Sequence, residues 1–324
     1  MNMKKLGWLV IGALVAVGIV FALRQSRKSL PTPGVAKITI AQWGQEKYLI
    51  YLPVYIAQEK GFFMEQGLDV SIVFSGNDDQ VFATVARGDA QFGVGDPIFT
   101  AISRNRGFDG IVLASIVDRV ALWGVTKSDK KYAAPTDFTS TKIGTFPRPS
   151  TTYTLVKEMI AENKLRDTTI VEAAIGNELA LLESGNADVV MLLEPAASIA
   201  ESKGYHVATS FPALWGPYAF TGLTSTESYR KANPAVVAAM RTALSQALNL
   251  AHEQPQQAIA VAQKLFPNLD SHVLQIAVNR MINDRTVPTS VNIEKEGWLK
   301  AVSVRQDMGD LRRGSEYLEC IESR

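Results

Sequence analysis

Cysteine is nearly absent. Cys320, close to the carboxyl end, is the only one in 324 residues, so neither an intramolecular disulfide nor a thiolate metal cluster can form. Histidine is scarce too: His206, His252 and His272 lack metal-ligand spacing and have no cysteine to support them. A long basic run is missing and the formal net charge is +1, which argues against a nucleic-acid partner, because neutralising phosphates takes a concentrated positive face. There is no Gly-x-Ser-x-Gly and no phosphate-binding Lys-Ser/Thr loop. Phe92-Gly93-Val94-Gly95-Asp96-Pro97-Ile98 begins like a dinucleotide loop, yet it lacks the third glycine and puts a proline where the helix must approach the phosphates. No catalytic, cofactor or metal site is expected, and the chain is read as a binder rather than an enzyme.

What is present supports a large folded body. Hydrophobic residues make up 47% of the chain and charged residues 20%, enough to bury a full core spread over about two domains. At the amino end, Lys4 and Lys5 precede residues 6–23, which carry no charged or strongly polar side chain. As a helix rising about 1.5 Å per residue this run is about 27 Å long, just enough to cross a bilayer. Its length, and the Arg24, Arg27 and Lys28 that follow, favour an uncleaved signal anchor over a cleaved signal peptide, whose apolar core is shorter. Positive charge on both flanks leaves its orientation open. The alternative is cleavage near Gly34-Val35-Ala36, which leaves a soluble protein. A polar tether with Pro31 and Pro33 completes residues 1–35, and the folded part is expected to begin near Ala36.

The stretch from Lys37 to Gln91 organises the rest. Lys37 to Ala41 alternates as a strand and empties into a polar, aromatic loop, Gln42 to Tyr51. In open α/β sheets, ligands settle beyond the carboxyl ends of strands, where the turning backbone leaves polar groups unpaired. A helix is predicted over Leu52 to Gln66, closed by Gly67, and then a strand over Leu68 to Phe74, which together make a parallel βαβ unit. A second helix starts around Asp78 and Asp79, and the strand Phe92 to Gly95 leads to Asp96-Pro97 at the head of a third. The alternation repeats from Ile111 to Thr224, with strands at Lys142 to Thr145 and Val189 to Leu193 and a helix from Ser150 to Asn163. Beyond Pro234 the pattern is helical, a tail suited to cover sheet faces. Two segments echo each other: Gly88-Asp89-Ala90-Gln91 before Phe92, and Gly185-Asn186-Ala187-Asp188 before Val189. Each is followed by an acid and a proline, Asp96-Pro97 and Glu194-Pro195.

The run Leu52-Pro53-Val54-Tyr55-Ile56-Ala57-Gln58-Glu59-Lys60-Gly61-Phe62-Phe63, with Gly67-Leu68-Asp69-Val70 after it, resembles the signature of the substrate-binding proteins of ABC importers for nitrate, sulfonates, taurine and thiamine-pyrimidine precursors. Ala86 to Phe92 and Leu182 to Asp188 match that family's two helix-Gly-Asp positions. The resemblance covers Lys37 to Thr224 well and the helical tail loosely. It implies an α/β, two-lobed periplasmic-binding-protein fold of the type II-like kind, with a helical C-terminal part, here behind an N-terminal membrane helix. Crossings near Thr126 to Tyr132 and near Gly216 to Thr221 would make residues 36–127 plus 222–324 lobe 1 and residues 128–221 lobe 2. The resemblance also implies an extracytoplasmic, periplasmic protein that closes on a small-molecule ligand and delivers it to ABC permease subunits. Residues 6–23 would hold it to the inner membrane; a monomer is expected. The departures from the family are the uncleaved-looking anchor and the lack of a cysteine for lipid attachment. A membrane-tethered ligand sensor is the alternative role, and a pyrimidine-precursor synthase of the same fold relies on a cysteine-rich motif that this chain lacks.

The strand-end loops nominate the ligand-binding side chains: Gln42, Trp43, Gly44 and Tyr48; Ser75, Gly76 and Asn77; Asp96; Arg148, Ser150, Thr151 and Thr152; Glu194; Trp215 and Tyr218. The family segment that Ser150-Thr151-Thr152 resembles supplies hydroxyls and backbone N–H groups at a helix amino terminus, a natural anion seat, although the same residues also serve as plain helix caps. Arg148 either meets a sulfonate or carboxylate or faces solvent. Trp43, Tyr48, Trp215 and Tyr218 either stack on a ligand ring or join the core. Asp96 and Glu194 either read a ligand amine or cap their helices.

Overall fold

Short apolar runs, each closed by a glycine or a polar turn, build two five-stranded sheets. Residues 34–148 and 150–322 are described in the computed structural model; the expected anchor at residues 6–23 and most of its tether lie outside them. Among the described residues no helix is long and apolar enough to cross a membrane.

In chain order, β1 (Ala36–Gln42) leads to α1 (Leu52–Glu59), α2 (Phe62–Glu65), β2 (Leu68–Phe74), α3 (Asp78–Ala86), β3 (Phe92–Gly95), α4 (Phe99–Arg104) and β4 (Gly110–Arg119). Then come β5 (Trp123–Thr126), β6 (Lys142–Thr145), α5 (Thr151–Glu162), β7 (Thr169–Glu172), α6 (Glu178–Glu183), β8 (Val189–Leu192), α7 (Ala196–Ser202) and β9 (His206–Ser210). After α8 (Phe211–Trp215) and β10 (Pro217–Thr226) the tail is helical: α9 (Glu227–Ala232), α10 (Pro234–Glu253), α11 (Pro255–Leu265), α12 (Ser271–Asn283) and α13 (Lys295–Asp307).

The two sheets share one plan. The first runs β2-β1-β3-β10-β4 and the second β7-β6-β8-β5-β9. In each, the first three strands are parallel and the fourth is antiparallel to its neighbours. The echoed segments precede β3 and β8, which hold the same place in the two sheets. The chain enters the second sheet between Arg119 and Trp123 and re-enters the first between Ser210 and Pro217. β5, placed before residue 128 and so on the lobe 1 side by the sequence reading, therefore pairs in the second sheet. The beginning of β10, before residue 222, pairs in the first, with Pro217 opposite Arg119. Both strands are apolar and buried, and nothing in their composition says which sheet they join.

The helix expected from Leu52 to Gln66 is two helices. Its apolar spacing runs on past Gly61, but Gly61 takes φ 78°, the left-handed region that ends α1 and starts α2 at a new angle. Both pack under α10, whose buried stripe includes Val237, Met240, Leu244, Leu248 and Ala251. Burying each larger aliphatic side chain there contributes about 1.5–3 kcal/mol. α12 ties the tail to the second sheet: the Trp123 indole N–H donates to Asp284 Oδ2 at 2.6 Å, and Ser210 Oγ donates to the same oxygen at 2.8 Å. α13 lies against β10, and Gly297 permits the approach, because a Cβ there would stand 2.9 Å from the Tyr218 backbone nitrogen.

Candidate functional site

The parallel strands of both sheets end around one cavity of ≈ 490 Å³. Trp43 follows β1, Asn77 to Asp79 follow β2, and Asp96 and Phe99 follow β3. From the second sheet come Phe146 to Arg148 and Ser150 to Thr152 after β6, Ile175 after β7 and Leu193 after β8. Phe220 and Thr221 of β10, Tyr51, and Arg305 of α13 complete the walls. An apolar surround with a few converging polar groups is what small-molecule sites have in common.

The polar groups are held by local rules. Asn77 caps α3: its Oδ1 accepts from Gln80 N at 3.0 Å while Gln80 Oε1 accepts from Asn77 N at 2.9 Å. Asp78 and Asp79 occupy the first turn, where the helix dipole favours acids. Asp78 Oδ1 accepts from the Asp96 backbone N–H at 2.7 Å, and Asp96 Oδ1 accepts from Ile98 N at 3.1 Å. Asp96 Oδ2 takes the Thr151 hydroxyl at 2.7 Å and Arg305 Nη2 at 3.2 Å. Arg305 also donates to Thr151 Oγ1 at 3.3 Å and through Nη1 to Asp310 Oδ2 at 3.1 Å, with its guanidinium 5.4 Å from the centre of the Phe99 ring. The Arg305–Asp96 pair is buried, its side chains 8% and 6% exposed.

Burial, followed by the nearby Asp96 charge, pushes the Asp78 carboxyl up to about 7. Burial also drives the Tyr51 phenol well above its usual range, with Asp78 adding to it. The cations of the wall are already engaged: Arg305 by Asp96 and Asp310, Arg148 by Glu172, and Arg106 by Asp79 at 3.5 Å. Among the described residues, Asp78 is the lining acid left without an arginine or lysine at ion-pair distance.

Of the nominated residues, Trp43, Asn77, Asp96, Arg148, Ser150, Thr151 and Thr152 line the cavity. Ser150 also caps α5, accepting from Tyr153 N at 3.1 Å. Arg148 is exposed and paired with Glu172 at 2.9 Å. The others sit behind the walls. Gln42 is fully buried and accepts from the Tyr55 hydroxyl at 2.8 Å. Gly44 and Gly76 bond each other's backbones, Ser75 N donates to Gln42 O, and Tyr48 packs edge-on against Trp43. Glu194 accepts from Ser198 N and Oγ and from Arg280 of α12, a packing role between helices. Trp215 receives Lys300 on its carbonyl oxygen, and Tyr218, 1% exposed, belongs to the core. Asp78, Tyr51, Phe99, Phe146, Phe220 and Arg305 line the site without having been nominated. Asp78 carried a signal, an acid at the head of a helix next to a nominated loop. Arg305 carried none, since it lies 209 residues from Asp96.

Known proteins share this architecture. The structure of the periplasmic aliphatic sulphonate binding protein SsuA from Escherichia coli superposes with a TM-score of 0.72 over 88% of this chain and 97% of that one, at 15% identity, a likeness of fold. YtlA of Bacillus subtilis, described as a candidate binding protein, is 23% identical over 98% of this chain and 95% of its own length. The formylaminopyrimidine-binding protein of Halalkalibacterium halodurans is 24% identical over 64% of each chain. Residues 50–258 match the family described as NMT1/THI5 like, and with most of its length inside that match the chain belongs to the NMT1/THI5-like family.

Proposed function

We propose that this chain is the extracytoplasmic solute-binding component of an ABC importer, holding one small molecule between two lobes and presenting it to permease subunits. Lobe 1 would comprise the first sheet and lobe 2 the second, exchanging chain at residues 119–123 and 210–217. The observation that carries the reading is the cavity itself: its walls come from strand ends of both sheets, so a ligand there gains contacts from each. A ligand favours the closed arrangement only through contacts it makes better when closed, and a site divided between two bodies provides them. Relatives matched over most of their length are described by binding, which agrees with a carrier that releases its ligand unchanged.

The ligand class that fits is a nitrogen heterocycle rather than a bare anion. Asp78 turns to the cavity a carboxyl with no arginine or lysine at ion-pair distance, each wall arginine has an acidic partner, and the rings of Trp43, Tyr51, Phe99, Phe146 and Phe220 are among the lining side chains. A ring that carries an amine N–H beside a ring nitrogen pairs with Asp78 whether its carboxyl, pushed up to about 7, is ionised or protonated, whereas nitrate or a sulfonate pairs with the protonated form alone.

Thermal unfolding of the full chain with and without candidate ligands tests this. A ligand at a hundred times its Kd adds about 2.7 kcal/mol to the folded state. A rise in melting temperature with 4-amino-5-hydroxymethyl-2-methylpyrimidine and none with nitrate or taurine is expected. A response to the anions alone would reverse the ligand class, and no response across sulfonates, nitrate, pyrimidines and riboflavin would remove the carrier role.

A further inference from the structure

We infer that the ligand carries an apolar arm and that a second chamber, between α3 and α4, receives it; this rests on the solute-binding reading above. The chamber measures ≈ 290 Å³. Phe82, Ala83, Ala86 and Ile102 form its apolar lining, with Arg87 and Phe108 at its edge. Phe108 is 51% exposed, a large ring left facing water.

Two relations make the chamber an extension of the ligand site. First, Asp79, Phe99, Ile102 and Arg106 belong to the walls of both spaces, so a molecule seated in the main cavity lies one side chain away from the chamber. Second, the shared boundary is weakly held. Arg106 Nη1 and Asp79 Oδ1 are 3.5 Å apart and their side chains are 66% and 56% exposed, and a pair so open to water costs little to part.

The lining decides the chemistry of the arm. Most of the wall is apolar and the Ser103 hydroxyl in it already donates to Thr100 O, while the charged side chains, Asp79, Arg87 and Arg106, are exposed and paired at the rim, so an apolar arm gains by leaving water and a polar one finds few partners inside. A volume near 290 Å³ is about ten times the share of one liquid water, room for a phenyl ring or a short alkyl chain. An aromatic arm would meet Phe82, Phe99 and Phe108 in offset or edge-on contact. Nitrate or methanesulfonate would leave the chamber empty.

The test compares bare and armed probes by calorimetry on the full chain. One pair has a pyrimidine head: 4-amino-5-hydroxymethyl-2-methylpyrimidine and its benzyl ether. The other has a sulfonate head: methanesulfonate and hexanesulfonate. The armed pyrimidine is expected to bind at least tenfold tighter than the bare one, and Ala86→Trp, which fills the chamber, is expected to abolish that gain while leaving the bare head's affinity unchanged. Should Ala86→Trp fail to fold, Ala83→Phe fills the same space from the preceding turn. A gain seen only with the sulfonate pair, and lost on filling, supports the chamber and sinks the heterocycle reading. Absence of any gain from either arm, or a gain that survives both filling variants, overturns the inference.

Discussion

Thr151 Oγ1 donates to Asp96 Oδ2 at 2.7 Å, joining the helix that follows β6 of the second sheet to the loop that follows β3 of the first. The bond bridges the two sheets and belongs to neither alone, and under the proposed carrier role it would break when the lobes part. Thr151→Val keeps the shape and removes the donor, leaving Asp96 with Arg305 and Ile98 N. A hydrogen bond to a charged group contributes about 1.5–3 kcal/mol, which corresponds to roughly a ten- to hundredfold loss of ligand affinity. The ligand-free melting temperature is expected to change little. Calorimetric titration beside a ligand-free melt checks both, and a melting temperature that falls without loss of affinity would make the contact structural.

Asp78 makes stability depend on pH with a defined sign. Its carboxyl moves from 3.8 to about 7 because burial and Asp96 disfavour its charge. Between those values the folded state holds a proton that the unfolded state has released, so this group lowers stability as pH rises from about 4 to about 7. The full cost above that window is on the order of 4 kcal/mol at most. Asp78→Asn keeps an acceptor for the Asp96 N–H and is expected to flatten this part of the profile, being more stable than the parent at pH 8 and similar at pH 4. Urea unfolding across that range measures it; parallel profiles would mean that Asp78 is ionised at neutral pH without penalty.

The legibility of the chain follows from the range of the forces involved. β2, β3 and β6 have the bounds read from the sequence, because a strand's limits are decided largely by neighbours such as Gly67 before β2 and Pro147 after β6. The break at Gly61 was masked by apolar spacing that continues through it. Ser150 to Thr152 read as a helix start because capping is local, and Ser150 does cap α5, whereas Tyr218, next to Gly216 and Pro217, read as loop and lies inside β10. Arg305 depends on where the last long helix returns, and that is settled by Gly297 against Tyr218 and by contacts more than two hundred residues apart.

Glu194 gives a contrasting case, a nominated ligand group that the fold uses for packing. Its side chain has no exposure, accepts from Ser198 twice and pairs with Arg280, which also reaches Glu201 at 2.5 Å. Arg280→Ala leaves a buried carboxylate without its cation, a loss of about 3–5 kcal/mol. Arg280→Ala with Glu194→Gln is expected to recover much of it. Ligand affinity of the folded fraction should match the parent in both, since neither residue lines the cavity. Denaturant unfolding and calorimetry separate the two effects; a selective loss of affinity would return Glu194 to the site.

Arg305 should combine both behaviours. It neutralises Asp96 within a cluster that also holds Asp78, and its own Nε is buried without a partner among the described residues. Arg305→Met retains much of the packing on Phe99 but leaves the Asp78–Asp96 pair without its cation, so a loss of about 3–5 kcal/mol at neutral pH is expected. The loss should shrink as pH falls below about 7, where Asp78 is protonated and no longer draws on the cation, whereas a purely steric fault would not follow pH. Arg305→Met with Asp96→Asn removes the stranded charge and is expected to restore most of the stability. It should not restore affinity, because Thr151 then donates to a neutral amide and loses its second partner in Arg305. Stability rescued together with affinity would show that Arg305 serves the fold alone.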